Sequence, residues 1–248
     1  MKVLTAYAAL AVLDPQERLQ TGVSQADSDL YLWGEGDLML SAGKGSSTRV
    51  NGHAGLATLA REVADNVSDP DQRFALRYQE ELFPGPARDP ELYEQEVSFW
   101  IGEIAPFAID TGRVQPGEYG YHDGSARRVA EALRDLLEEE GLNVETISAF
   151  EPPLPLEAQI VGSVESATVL EQLQTMVEIS DNTLAEQYCR LTASRVLGHP
   201  ANLSEATATT VQLLSDSGIS TSGIVLADCS GLNENSRVAP QTFIDTFK

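Results

Sequence analysis

The sequence predicts an α/β (α+β) fold, and three observations predict it. Apolar residues recur at helical spacing over several stretches, and between those stretches lie short runs that alternate apolar with polar residues or end in turn-forming clusters. A stiff, extended segment, Glu-Pro-Pro-Leu-Pro-Leu-Glu at 151–157, divides a mixed first part from a helical second part. The chain has 248 residues, 42% of them hydrophobic and 22% charged, enough to bury the core of one large domain or of two modest ones.

Taken in order, residues 2–13 carry Val3, Leu4, Tyr7, Leu10 and Ala11 at helical spacing. Asp14-Pro15 ends that helix, because proline cannot continue it and restricts the residue before it. This apolar N-terminus lacks a basic leader and a cleavage site of small residues, so it reads as a core helix rather than a signal peptide. Asp29–Trp33 reads as a strand entering the turn Gly34-Glu35-Gly36-Asp37, and residues 54–67 as an amphipathic helix through Leu56, Leu59, Ala60, Val63 and Val67. Phe74, Leu76 and Tyr78 alternate along a half-buried strand at 73–78, and proline and glycine make 84–90 a loop. Ser125–Glu140 is a helix through Val129, Ala130, Leu133, Leu136 and Leu137, with Gly141 as its C-cap and a strand at Asn143–Ile147. After the proline-rich boundary the expected elements are a helix over 164–178, a break at Ser180-Asp181-Asn182, and a second helix through Leu184, Tyr188 and Leu191. A third helix over 204–217 ends at Gly218, and Gly223–Asp228 is expected to be a strand entering the turn-rich Cys229–Asn235. Neither internal repeats nor low-complexity segments occur.

Composition excludes several classes. Sixteen Lys and Arg stand against 38 Asp and Glu, a net charge of −22, so nucleic acid and anionic membrane surfaces would be repelled. No run of about 18 apolar residues is present to span a bilayer. Cys189 and Cys229 are expected to be buried free thiols, since two cysteines are not a disulfide framework. His53, His122 and His199 have no ligand-like spacing with them, so no metal and no organic cofactor is expected.

The most informative polar cluster is Ser180-Asp181-Asn182, a hydroxyl and a carboxamide side by side between two apolar helices. Packed helices bracing polar groups at a loop tip make a rigid scaffold of the kind catalysis needs. The same triplet is also a good helix N-cap. Lys2, at the head of an apolar helix, is equally open to reading as a frayed terminal lysine.

Further matches raise these residues together. The run Lys2-Val-Leu-Thr-Ala-Tyr-Ala-Ala-Leu is similar to the helix that follows Ser-x-x-Lys in active-site serine penicillin-recognising enzymes. Ile179–Leu184 with Glu186 resembles their second motif. Gly223–Pro240 resembles a segment of the form Asp-Gly-Ser-Gly-Leu-Ser…Arg-Val-(Ser/Thr)-Pro, with Cys229 replacing a glycine and Asn233 a serine. Leu30–Asp37 is similar to Leu-Tyr-Leu-x-Gly-Gly-Gly-Asp, and Leu76-Arg77-Tyr78 with Phe83, and Pro106–Arg113, match as well. Lys2 and Ser180 lie 178 positions apart, a gap that resembles serine D-alanyl-D-alanine carboxypeptidases of the penicillin-binding-protein 4 type, peptidase family S13.

The resemblance implies a transpeptidase/β-lactamase-like α/β domain, with a mostly antiparallel sheet and a helical cluster, formed by residues 1–20 and 156–248. Residues 21–155 would be an inserted second domain. It implies a serine carboxypeptidase or endopeptidase that acts on peptidoglycan stem peptides through an acyl-enzyme and is acylated by β-lactams. Lys2 would be general base toward a serine three positions ahead of it, because an i, i+3 spacing places both on one helical face. Ser180 would relay a proton to the leaving amine, Asn182 would hold Lys2 and the substrate amide, and Asp181 would cap the following helix. Ser180 and Asn182 are thus also the expected substrate-binding residues. By the same resemblance the protein is exported to the cell envelope or beyond, with a signal peptide outside this chain. The nucleophile and the third motif, Lys-Thr-Gly, fall outside it too, so the chain alone is expected to be inert toward penicillin. The other readings open at this stage are an inactive cell-wall-binding scaffold and a β-lactamase-like hydrolase.

Overall fold

The computed structural model describes residues 1–247. Its centre is a five-stranded mixed sheet in the order β6-β4-β2-β1-β7, built from β1 (Arg18–Ala26), β2 (Asp29–Gly34), β4 (Arg73–Gln79), β6 (Asn143–Phe150) and β7 (Gln159–Thr168). Strands β1 and β2 form a hairpin across a two-residue turn, where Asp27 takes the left-handed φ of 50° that such turns require. β2 pairs parallel with β4, and β4 parallel with β6, while β7 closes the other edge antiparallel to β1. The sheet is therefore evenly mixed, with two parallel and two antiparallel pairings, and β1, β2, β4 and β6 lie wholly or mostly within residues 21–155.

Each parallel crossover carries a helix: α2 (Leu56–Asn66) lies between β2 and β4, and α4 (Ser125–Glu139) between β4 and β6. Both pack their apolar stripes on one face of the sheet, joining Leu59, Val63, Val129 and Leu133 to Leu30, Leu32, Phe74 and Leu76 in one core. Gly141, at φ 97°, ends α4: its N–H donates to Glu138 O, and the Leu142 N–H donates to Leu137 O. Two small sheet residues permit close approach, Trp33 lying over Gly22 and α2 over Gly162. The short strands β3 (Asp37–Leu40) and β5 (Phe107–Ile109) pair beside this layer, and α3 (Glu91–Glu94) lies in the connection between β4 and β5.

The second layer is helical. α1 (Lys2–Leu10), α5 (Val169–Glu178) and α6 (Asn182–Leu197) pack around Ala9, Leu13, Leu173, Met176, Leu184 and Tyr188. Behind them, α7 (Leu203–Asp216) and α8 (Pro240–Thr246) close smaller clusters, one around Cys189, Ala193 and Ala206 and one around Leu4, Leu214 and Ile219. No helix among the described residues is long and apolar enough to cross a membrane.

Three expectations are corrected. The helix expected over 164–178 begins only at Val169, because 164–168 completes β7 and Thr168 caps α5 by exchanging hydrogen bonds with Glu171. Gly223–Asp228 is not a strand; Val225 makes an isolated bridge to Arg237, and among the described residues no strand lies alongside to extend it. Cys189 and Cys229 are not free thiols. They are joined by a disulfide, with S–S 2.06 Å and Cα–Cα 6.1 Å, because the middle of α6 packs directly against the 228–230 loop.

Candidate active site

The charged residues of the helical layer converge where α1, the start of α6 and the 228–236 loop meet. Buried Leu4, Thr5, Ala8 and Ala9 turn one face of α1 inward, and this leaves Lys2 at the edge of that face. Its Nζ donates to the carbonyl of Ser230 at 3.0 Å. Burial pulls this amine below its ordinary pKa, and the charges of Asp181, Asp228 and Glu186 pull it part of the way back. All three acidic residues and the lysine therefore share one electrostatic neighbourhood.

Ser180 occupies the elbow between α5 and α6 at a φ of 57°, a conformation that few non-glycine residues adopt. It is exposed, and the next residue, Asp181, is buried and caps α6 by accepting the Leu184 N–H at 2.9 Å. The capping that the triplet could have supplied thus belongs to Asp181, which leaves the Ser180 hydroxyl outside the cap. Arg113 braces Asp181 from the far side with an ion pair of 2.7 Å that is almost wholly buried. Asn182 Nδ2 donates to the Trp100 carbonyl at 2.8 Å, which fixes the carboxamide and leaves its Oδ1 as an acceptor. Thr183 and Gln187 continue the seam, with Thr183 Oγ1 accepting the Gly102 N–H and Gln187 bonding Gly36 O and both polar groups of Ala105. The Gly34–Asp37 turn is part of this support: Gly36 N–H donates to Pro106 O, and a side chain on Gly36 would displace Gln187.

The 228–236 loop is wound on one buried carboxylate. Asp228 accepts from Ser230 Oγ at 2.6 Å, Leu232 N–H at 2.6 Å, Asn233 N–H at 3.0 Å and Ser236 Oγ at 2.8 Å. Gly231, at φ 83°, passes so close to Met1 that no side chain fits there. The substitutions that set this loop apart both have work in it. Cys229 makes the disulfide to α6, and Asn233 spans to Glu91 and Gln95 on the segment around α3.

Sequence reasoning assigned no role to Glu186, Arg113 or Asp228. Glu186 is buried, accepts the Cys229 and Ser230 N–H groups at 2.8 Å each, and has its pKa pushed up to about 7. Burial is the main cause and the Asp228 charge adds to it, against Arg190 and the two N–H groups. The available signal was the Glu186–Arg190 pair, i and i+4, on a helix whose neighbours Leu184, Ala185, Tyr188 and Cys189 are all core residues. Arg113 and Asp228 reach the site only through the tertiary fold. Among the described residues no group of His, Cys, Asp and Glu side chains could hold a metal ion.

Comparison with known proteins places this geometry in a family. The family model for D-Ala-D-Ala carboxypeptidase 3 (S13) matches residues 1–132 and 121–248. The chain is 30% identical over 255 residues to the carboxypeptidase Rv3627c of Mycobacterium tuberculosis, covering all of this chain and 53% of that protein. It is 32% identical over 251 residues to the carboxypeptidase DacB of Mycolicibacterium smegmatis, covering 97% and 52%. The chain thus spans about half the length of the curated relatives it matches. Penicillin binding protein 4 (dacB) of Haemophilus influenzae superposes with a TM-score of 0.74 at 18% identity, over 99% of this chain and 67% of that one. The same protein complexed with a β-lactam superposes at 0.70. In fold the chain is therefore of the penicillin-binding-protein type, and by sequence it belongs to the D-Ala-D-Ala carboxypeptidase 3 (S13) family.

Proposed function

We propose that this chain is the larger part of the working site of a serine D-Ala-D-Ala carboxypeptidase or endopeptidase. The substrates would be peptidoglycan stem peptides, cleaved through an acyl-enzyme, and β-lactams would acylate the same serine. The reading carries with it an exported, cell-envelope protein. The observation that carries it is the charge of Asp181, in the Ser180–Asn182 elbow, acting on the part-buried Lys2 amine from 179 positions away in the sequence.

In this reading Lys2 takes the proton of a serine three positions ahead of it. Its lowered pKa favours the neutral amine that such a step needs. Ser180, held out of the cap and exposed, passes a proton to the leaving amine, and Asn182 Oδ1 accepts from the Lys2 amine or from the substrate N–H. Residues 1–20 and 156–248 then form the catalytic domain and 21–155 an insertion. The core around α1, α5 and α6 is drawn mainly from the first of these, but it also takes in Leu38, Met39, Ala105 and Ala108 of the second, and β7 of the first pairs with β1 in the sheet.

The test is Lys2→Arg in a protein that carries this chain together with the serine three residues ahead of it. Arginine keeps the positive charge but cannot give up its proton. Labelling by fluorescent penicillin, and D-Ala release from a peptide ending in D-Ala-D-Ala, should both fall by about 100-fold or more. Labelling at the unaltered rate would remove Lys2 from the role of base.

A further inference from the structure

The peptide units of Cys229 and Ser230 form a backbone bridge between two helices. Their N–H groups both point at α6, where Glu186 Oε1 accepts the two at 2.8 Å each. Their carbonyls point at α1, where Thr5 Oγ1 donates to Cys229 O at 2.7 Å and Lys2 Nζ to Ser230 O at 3.0 Å. Glu186 lies one turn beyond Asn182 on α6, and the disulfide at Cys189, three residues further, pins Cys229 to the same helix. The seat of the Lys2 amine is therefore this bridge, and Glu186 is what the bridge hangs from.

A neutral side chain would have served to hold it. A carboxamide oxygen can accept both N–H groups, and a charge in this place has a desolvation cost that two hydrogen bonds and Arg190 only partly offset. The charges acting on Glu186 are Asp228 from the loop and Arg190 from α6, and Glu186 in turn acts on Lys2 of α1; around these, Asp228 acts on the Met1 amine, Asp181 on Lys2 and Asp89 on Arg190. Arg190 makes no ion pair within salt-bridge distance among the described residues, and the cation that the bridge itself holds is the Lys2 amine.

We propose that Glu186 is a positioning residue: its carboxylate holds the Cys229–Ser230 bridge so that the Ser230 carbonyl meets Lys2 Nζ, and its charge stands within the field of that amine. The proposal rests on the reading of Lys2 as the base for its catalytic meaning, but not for its test. Lys2, Lys44 and Lys248 are the three lysines of the sequence, so a chain labelled with ¹³Cε-lysine gives three resonances. Exposed Lys44 serves as the internal reference.

In Glu186→Gln the bridge keeps its acceptor and loses the charge. The midpoint of the Lys2 titration should fall by about one pH unit, because an opposite charge that favoured the ammonium is gone, while Lys44 stays put. An unmoved Lys2 midpoint in a folded Glu186→Gln chain overturns the proposal. Should that variant fail to fold, the unaltered chain decides. The amide protons of Cys229 and Ser230 and the Lys2 Cε carbon should then share a titration step near pH 7, the value to which Glu186 is raised. If they share no step, the proposal fails. Penicillin acylation of the protein carrying the nucleophile separates the two ideas. A shifted Lys2 midpoint with unchanged acylation keeps the positioning role and overturns Lys2 as base, whereas an unshifted midpoint ends the positioning role at any acylation rate.

Discussion

The sheet layer and the helical layer are held together by different physics. Under α2 and α4 the contacts are between Leu, Val and Phe side chains in the single large cluster around Leu59, Phe74 and Leu133. Around α6 the interior also contains Asp181, Glu186, Arg190 and Gln187, each nine-tenths or more buried. Apolar packing tolerates volume-conserving substitution and is indifferent to pH. A buried charge network is costly, and its members depend on one another. The helical layer accepts that cost around Lys2, Asp181, Glu186 and Asp228, and functional groups commonly concentrate where burial perturbs titration. On the proposed function, the sheet layer carries the fold and the helical layer would carry the chemistry.

The largest expected effect breaks the sheet layer alone. Phe74→Ala removes a fully buried ring and should cost about 3–5 kcal/mol in denaturant unfolding. Where that variant remains folded, the Lys2 titration should be unchanged, and a shifted Lys2 midpoint would mean that the layers are not independent. Next is the disulfide. Its partners are 40 residues apart, and Cys189→Ser with Cys229→Ser should lower stability by about 2–4 kcal/mol, read by the same unfolding curve. Unlike the ring deletion, it should also loosen the 228–236 loop, seen as faster amide exchange at Cys229 and Ser230.

A smaller effect separates the layers by pH. Asp37 is buried beneath α6 with the Met39 N–H as its hydrogen-bond donor, and burial raises its pKa from 3.8 to about 7. A raised carboxyl binds its proton more tightly in the folded chain than in the unfolded one. Its stabilising contribution is therefore full below the unfolded value and is lost as pH rises toward 7. Asp37→Asn should remove that loss, so its melting temperature should gain on the unaltered chain by roughly 3 °C or more between pH 4.5 and pH 8. A constant difference across that range would show that Asp37 is ionised in the fold.

The same contrast explains what could be read from the sequence. α2, α4, β2 and β4 each bury one face, and their periodicity is plain in Leu56-Leu59-Val63, Val129-Leu133-Leu137 and Phe74-Leu76-Tyr78. β1 went unread because it is central: Thr21, Ser24 and Gln25 are buried along with Val23, so alternation disappears. β7 ends in residues that continue into α5 without a break, and only the Thr168–Glu171 cap marks the change. In the helical layer the triplet and Lys2 were visible as local motifs. Glu186 and Arg113 stood within matched stretches without an assigned role, and the disulfide was not foreseen, because these roles arise from contacts 43, 68 and 40 residues away in sequence.

The smallest expected effect on stability is paired with a large one on chemistry, and it tests the assignment of the site most directly. Ser180 is exposed and outside the α6 cap, so Ser180→Ala should change unfolding free energy by no more than about 0.5 kcal/mol. Ser180→Ala and Asn182→Ala are to be made in the protein that carries this chain with its preceding serine, then melted and assayed for acylation by fluorescent penicillin. The account predicts nearly unchanged melting with acylation slowed by about 10²–10⁴-fold. Acylation within about threefold of the unaltered protein, together with a collapsed melting temperature, would make the triplet a structural cap and place the catalytic site elsewhere.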